Sequence, residues 1–310
     1  MSAAGTAFAR LPQRVRLNLQ SIVGRAYPRV IGANREPSWI FFEAILPLLG
    51  IAAYVFIYQA LGASRLAGVT DPAMRAQIVS DVNALVGTVV LGGTMIAFWL
   101  NVLWSMASQL YWEKEIGNLQ LYMMAPMSRM ALLGGMALGG MFMTSVRAIT
   151  TLVVGVLVFS VVLQVVNAPL LLAVFFVTLI ALYGMGMMLA SLYLLWGREA
   201  FHLSALLEEP IFFTSGFYFP VGGLGTPQAG LLGRAVLTFA TFIPATLGLD
   251  AMRQLIFPGA WGGAFWVFRP DVELVLLVVL AIVFLILARY TLAYLEMLAR
   301  REGRLTSRHQ

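Results

Sequence analysis

The run at 274–288 contains no polar side chain. A helix built from it is apolar all round, so it is either a core helix of a large protein or a membrane span. Comparable apolar segments lie at 39–61, 84–110, 145–165, 170–196 and 203–220, and the run itself sits within 272–292. Each is close to the ~20 residues that cross a bilayer as a helix. The choice between core and span follows from charge: 60% of the 310 residues are hydrophobic and 11% are charged, against about 25% charged in a soluble domain. The sequence therefore predicts an all-α polytopic membrane protein of six transmembrane helices, forming one membrane domain over 39–292.

Orientation follows from arginine. Arg10, Arg14, Arg16, Arg25, Arg29 and Arg35 precede the first span, and Arg300, Arg301, Arg304 and Arg308 follow the last. The positive-inside rule places both termini in the cytoplasm, which requires an even number of spans. Residues 231–249 are also apolar, but a seventh span would carry the arginine-rich tail, 293–310, outside. Arg234, Pro244 and Gly248 interrupt that segment. The expectation is a re-entrant, extracellular-side hairpin over 222–261, packed against other helices or lining a pathway.

Two further segments read as non-spanning helices. Over 14–27, Val15, Leu19, Ile22 and Ala26 share one face, which fits a cytoplasmic interfacial helix ending near Pro28. A basic tail without structure is the alternative for the N-terminal region, 1–38. Between the second and third spans, 111–129 is short and charged at its start. Glu113 and Glu115 are expected in its first turn, where a helix N-terminus favours anions. Leu119, Tyr122 and Met123 then form an apolar face for a cytoplasmic partner, and Pro126 ends the pattern. An ordinary interfacial loop helix would show the same pattern.

Several chemistries are excluded. The chain has no cysteine, which removes disulfides and thiol catalysis. A nucleotide-binding P-loop needs Gly-Lys-Ser/Thr, and the sole lysine, Lys114, stands between Glu113 and Glu115. His202 and His309 belong to no zinc motif. No nucleophile–base constellation suggests an enzyme. The net charge of +6 lacks the basic stripe with interleaved aromatics that nucleic acid requires, so it is assigned to loops facing anionic membrane lipid.

Polar groups inside the spans are candidate pathway or gating residues, because a charge in hydrocarbon must face the bundle or water. Glu43 either snorkels beside Arg35 or faces a pathway. Asn101 is interhelical glue or a pathway residue. Arg147 faces a partner helix or a cavity, and Glu208 interrupts the fifth span beside Pro210. Phe212, Phe213, Phe217, Tyr218, Phe219, Trp261 and Trp266 suit a pathway wall or an interfacial aromatic belt. Gly134, Gly135, Gly139 and Gly140 are expected to let helices approach within the subunit.

Three stretches carry a family resemblance. The first is Glu113-Lys114-Glu115-Ile116-Gly117-Asn118-Leu119-Gln120, continuing to Ala125-Pro126-Met127-Ser128-Arg129. The second is Gly216-Phe217-Tyr218-Phe219-Pro220, with Ile243-Pro244-Ala245-Thr246 and Asp250-Ala251-Met252-Arg253. The third is the basic tail Ala299-Arg300-Arg301-Glu302-Gly303-Arg304-Leu305. In this order along the chain they resemble the ABC-2 family of ABC-transporter permeases, and the tail resembles its drug-export-type members.

That resemblance implies a permease of a bacterial plasma (inner) membrane, paired with a second, identical permease subunit and two cytoplasmic ATPase subunits. ATP and magnesium would bind the ATPase, and this chain would hold no cofactor. Glu113, Lys114, Glu115, Gly117, Asn118, Leu119, Tyr122 and Met123 would form the coupling contact. The implied substrate is a hydrophobic drug or lipid-like molecule; a polysaccharide or lipid-linked glycan is the alternative within the family. Outside it, an ion-driven secondary transporter and a non-transporting sensor subunit remain open.

Overall fold

The computed structural model describes residues 12–33 and 37–301, with side chains of 32–46, 123, 194–195 and 299–300 outside the description. Glu43 is thus seen only as backbone, and most of the basic tail falls outside the described residues. All regular structure among the described residues is helical.

Among the described residues, five helices are long and apolar enough to cross a membrane: Pro47–Leu66, Pro72–Ile116, Arg129–Val158, Ala168–Tyr193 and Pro270–Leu298. A sixth crossing is reached only if two bent segments count as one. The elements are α1 (Gln13–Ala33), α2 (Pro37–Leu66) and α3 (Pro72–Leu100), which runs through a π-helical stretch (Asn101–Met106) towards α4 (Gln109–Ile116). Then come α5 (Asn118–Met124), α6 (Arg129–Val158), α7 (Ala168–Trp196), α8 (Ala200–Thr214), α9 (Gly230–Ala240), α10 (Pro244–Ile256) and α11 (Pro270–Arg301).

Local chemistry sets the helix starts. Asp71 accepts from the Ala73 N–H at 3.0 Å with Pro72 in the first turn of α3, and Ser128 accepts from the Ala131 N–H at 3.1 Å to cap α6. These caps satisfy amides that the helix cannot. The α3 segment lies at the centre: 78% of its most apolar window is buried, against 22% for α6 and α11. It packs on α2, α6 and α10, while α11 lies along α7.

The expected fifth span, 203–220, is corrected. Helix α8 stops at Thr214 after 15 residues, about 22 Å of rise against a hydrocarbon core of ~30 Å. Gly216 then takes φ +68° and turns the chain, a conformation that glycine adopts without strain. The expected hairpin region holds α9 and α10, bent by 96° at the break before Pro244.

Other boundaries move for physical reasons. Helix α1 passes through Pro28 to Ala33, although a proline inside a helix costs a backbone hydrogen bond. Side-chain contacts on both sides of it hold the helix down: Arg25 reaches Glu113 and Arg29 donates to Ser105. Helix α6 starts at Arg129 rather than 145. Its glycines lie inside the helix, where a Cβ on Gly135 would come within 2.8 Å of the Ile22 carbonyl oxygen. The α1–α6 contact depends on that missing side chain.

On α1 the apolar residues Val15, Val23, Tyr27 and Ile31 are exposed. The inner side carries Asn18, Arg25 and Arg29, which bond Ser128, Glu113 and Ser105. Of the apolar face expected from the sequence, Val15 is exposed while Leu19, Ile22 and Ala26 are half-buried, with Ile22 and Ala26 packed on Gly135 and Gly139 of α6.

Candidate functional site

The π stretch organises the site. The Ala107 N–H reaches back to the Val102 carbonyl at 3.0 Å, one residue further than in an α-helix. Such wide turns recur at functional sites. Here three successive polar contacts radiate from it. Asn101 Oδ1 accepts from the Tyr183 hydroxyl at 2.8 Å. Trp104 Nε1 donates to Glu208 Oε2 at 2.9 Å. Ser105 Oγ accepts from Arg29 Nη2 at 2.9 Å.

Two adjoining cavities flank this stretch and share Leu100 and Arg147 in their walls. The first, about 390 Å³, is apolar, with Ile51, Ile96, Ala97, Phe212 and Tyr218 among its lining. The second, about 340 Å³, presents Arg29, Asn101, Trp104 and Ser105. Of the expected pathway residues, Asn101 and Arg147 thus line one groove, and Glu208 joins it through Trp104. Phe213 does not: it is 70% exposed. Phe217 is buried with its ring against Phe212, and Phe219 is half-buried outside the cavity walls. Of the expected aromatics, Phe212 and Tyr218 reach the groove.

The groove's far end is held by Arg253 of α10. Fully buried, it donates to the carbonyls of Gly216 at 2.7 Å and Thr88 at 3.1 Å. Gly92 permits this, because a Cβ there would stand 1.6 Å from the Phe217 carbonyl oxygen. Two parts of the second stretch that carried the family resemblance, 216–220 and 250–253, are therefore fastened to each other and to α3.

The 111–129 segment differs in detail from its expected form. It is two short helices broken at Gly117, which takes φ +91°. Because α4 begins at Gln109, Glu113 and Glu115 fall outside the first turn, so the helix N-terminus does not act on them. Glu113 is buried and binds Arg25, while its second oxygen accepts from Asn118 Nδ2 at 3.0 Å. Lys114 is buried too, and Glu115 is half-buried. Leu119 is 4% exposed, and Tyr122 lies under the Arg25 guanidinium, 5.6 Å from ring centre to Cζ. The side chain of Met123 lies outside the described residues. The exposed apolar side chains are instead Ile116 (68%), Leu121 (62%) and Met124 (76%).

Sequence reasoning missed Arg29, Trp104 and Ser105. Arg29 carried one usable signal: it stands one helical turn after Arg25, on the same face. No family model matches the chain, and no curated protein matches it in sequence.

Proposed function

We propose that this chain is the membrane-spanning permease subunit of an ATP-driven exporter of the ABC type, with both termini in the cytoplasm of a bacterial inner membrane. It works with two copies of a separate cytoplasmic ATPase and a second, identical permease subunit. With α8 too short to span, the bent α9–α10 pair within residues 222–261 supplies the sixth crossing that two cytoplasmic termini require.

The observation that carries this reading is the α4–α5 pair. It offers exposed apolar side chains, Ile116, Leu121 and Met124, on a base fixed by a partly buried ion pair. Helix α1 grips that base through Arg25 and the π stretch through Arg29, one turn further on. A force applied to these side chains by a partner reaches the groove through α1 and through the continuous α3–α4 path. ATP binding would then bias a two-state groove, as any ligand with different affinity for two states does.

The absence of cysteine makes a direct test clean. A Leu121→Cys variant carrying a maleimide photo-crosslinker in native membranes is expected to capture a nucleotide-binding protein, and Phe213→Cys is not. Equal capture from both positions, or none from Leu121, contradicts the reading.

An ion-driven secondary transporter is the second reading. Asp250 and Glu273 are both buried and share the Gln254 amide at 3.0 and 3.4 Å, and intramembrane carboxylates recur in ion pathways. Transport driven by a proton gradient without any ATPase would favour it.

A further inference from the structure

Asp250 of α10 and Glu273, in the first turn of α11, are buried where the two helices pack, at 1% and 0% exposure. Their carboxyl groups are held side by side. The Gln254 amide donates to Asp250 Oδ2 at 3.0 Å and to Glu273 Oε2 at 3.4 Å. The successive N–H groups of Val267 and Phe268 donate to Asp250 Oδ2 at 2.8 Å and to Glu273 Oε1 at 3.4 Å. Asp250 Oδ1 is buried too, and no amide or hydroxyl among the described residues donates to it. The remaining contact is between the two carboxyl groups, which hydrogen-bond to each other. An ionised carboxylate only accepts, so such a bond must contain a proton belonging to one of the pair.

The local charge agrees. Among the described residues the cation acting on the pair is Arg253, one turn further along α10, and its guanidinium donates to the Thr88 and Gly216 carbonyls. Other titratable groups on the surrounding elements are engaged elsewhere. Asp271 of α11 pairs with Arg269 at 3.3 Å, and Asp81 of α3 accepts from the Trp261 N–H at 2.9 Å. Tyr58 of α2 donates to the Tyr218 carbonyl, while Tyr183 and Tyr193 of α7 bond Asn101 and Ser204. One guanidinium offsets one carboxylate. A second carboxylate ionised beside the first would be buried and uncompensated, and keeping a proton avoids that. We propose that Asp250 and Glu273 bind one proton between them, and that this proton latches α11 and the 267–268 turn onto α10. Its loss sets two carboxylates against one guanidinium and loosens the α9–α10 pair from α11, which makes the attachment sensitive to pH. The pair would hold its proton in an exporter and in an ion-driven transporter alike, so the proposal rests on neither reading.

The test is infrared spectroscopy of the purified full chain at neutral pH, reading the carbonyl stretch that a protonated carboxyl group gives and a carboxylate does not. The band is expected in the unsubstituted chain and should be lost in Glu273→Gln and in Asp250→Asn. Glu273→Gln should keep the unfolding temperature, because its amide supplies the donor that Asp250 Oδ1 needs. Glu273→Ala supplies none and should lower it. A folded state that holds a proton the unfolded chain releases loses stability as pH rises. The unfolding temperature of the unsubstituted chain should therefore fall more between mildly acidic and mildly alkaline buffer than that of Glu273→Gln. No band in the unsubstituted chain, or a band unchanged in both amide variants, would overturn the proposal. So would Glu273→Gln unfolding as readily as Glu273→Ala, since Glu273 would then be needed as an anion. No ATPase or ion gradient enters these measurements, so the failure of either transport reading leaves their outcome unchanged.

Discussion

Arg25 on the first helix forms an ion pair with Glu113 on α4, 88 positions later in the chain, and the same guanidinium donates to the Tyr122 hydroxyl at 3.1 Å. One side chain thereby fixes both halves of the broken segment that is proposed to meet the ATPase. Removing Arg25, itself 22% exposed, takes the ionic partner from the buried Glu113 carboxylate, at a cost of about 1–3 kcal/mol. Arg25→Gln is expected to lower the thermal unfolding temperature in detergent. In a double-mutant cycle with Glu113→Gln, the second substitution should cost much less than it does alone.

Leu119 and Leu121 are two residues apart and should behave differently. Leu119 is in the core, so Leu119→Ala is expected to lose about 2–5 kcal/mol of stability. Leu121→Ala should leave the unfolding temperature unchanged and reduce the amount of ATPase retained on the purified chain. Thermal unfolding and a partner-retention gel, run on both variants, check this.

A contrast between two glycines tests the hairpin anchor. Gly92→Ala would drive a methyl group into the Phe217 carbonyl and separate α3 from the turn that Arg253 holds. Gly134 has nothing within 4 Å of an added Cβ, so Gly134→Ala should be neutral or stabilise by up to ~1 kcal/mol through helix propensity. Unfolding temperatures should fall for the first and hold or rise for the second.

The outward apolar stripe of α1 predicts its surroundings. Spin labels on Val23→Cys and Tyr27→Cys in lipid vesicles are expected to relax faster with oxygen than with a water-soluble nickel chelate. Faster relaxation by the chelate at both positions would put the stripe in water and remove the interfacial assignment.

Apolar run length made the long helices legible, because lipid demands continuous hydrophobicity and internally satisfied backbones. Ends were harder. Pro72 and Arg129 start their helices among polar and small residues that a hydropathy run does not count. The short α8 was not legible as such, because its apolar pattern continues through Gly216 to Pro220 while the backbone turns. Leu119 is buried, contrary to expectation, for a similar reason: the left-handed Gly117 redirects the chain, so one helical period does not extend from Glu113 to Tyr122. Asn101 and Arg147 were recoverable from the cost of polarity in hydrocarbon. Their meeting with Arg29 was not, since it depends on the π turn and on how closely α1 lies to α6.

The exporter claim is tested most directly by ATP hydrolysis on the tagged chain, purified from its native membranes in mild detergent. A stoichiometric cytoplasmic subunit with vanadate-sensitive activity, lost together with that subunit in Leu121→Asp, is the expected result. A preparation that keeps its other complexes but holds no ATPase would contradict it and turn attention to Asp250 and Glu273.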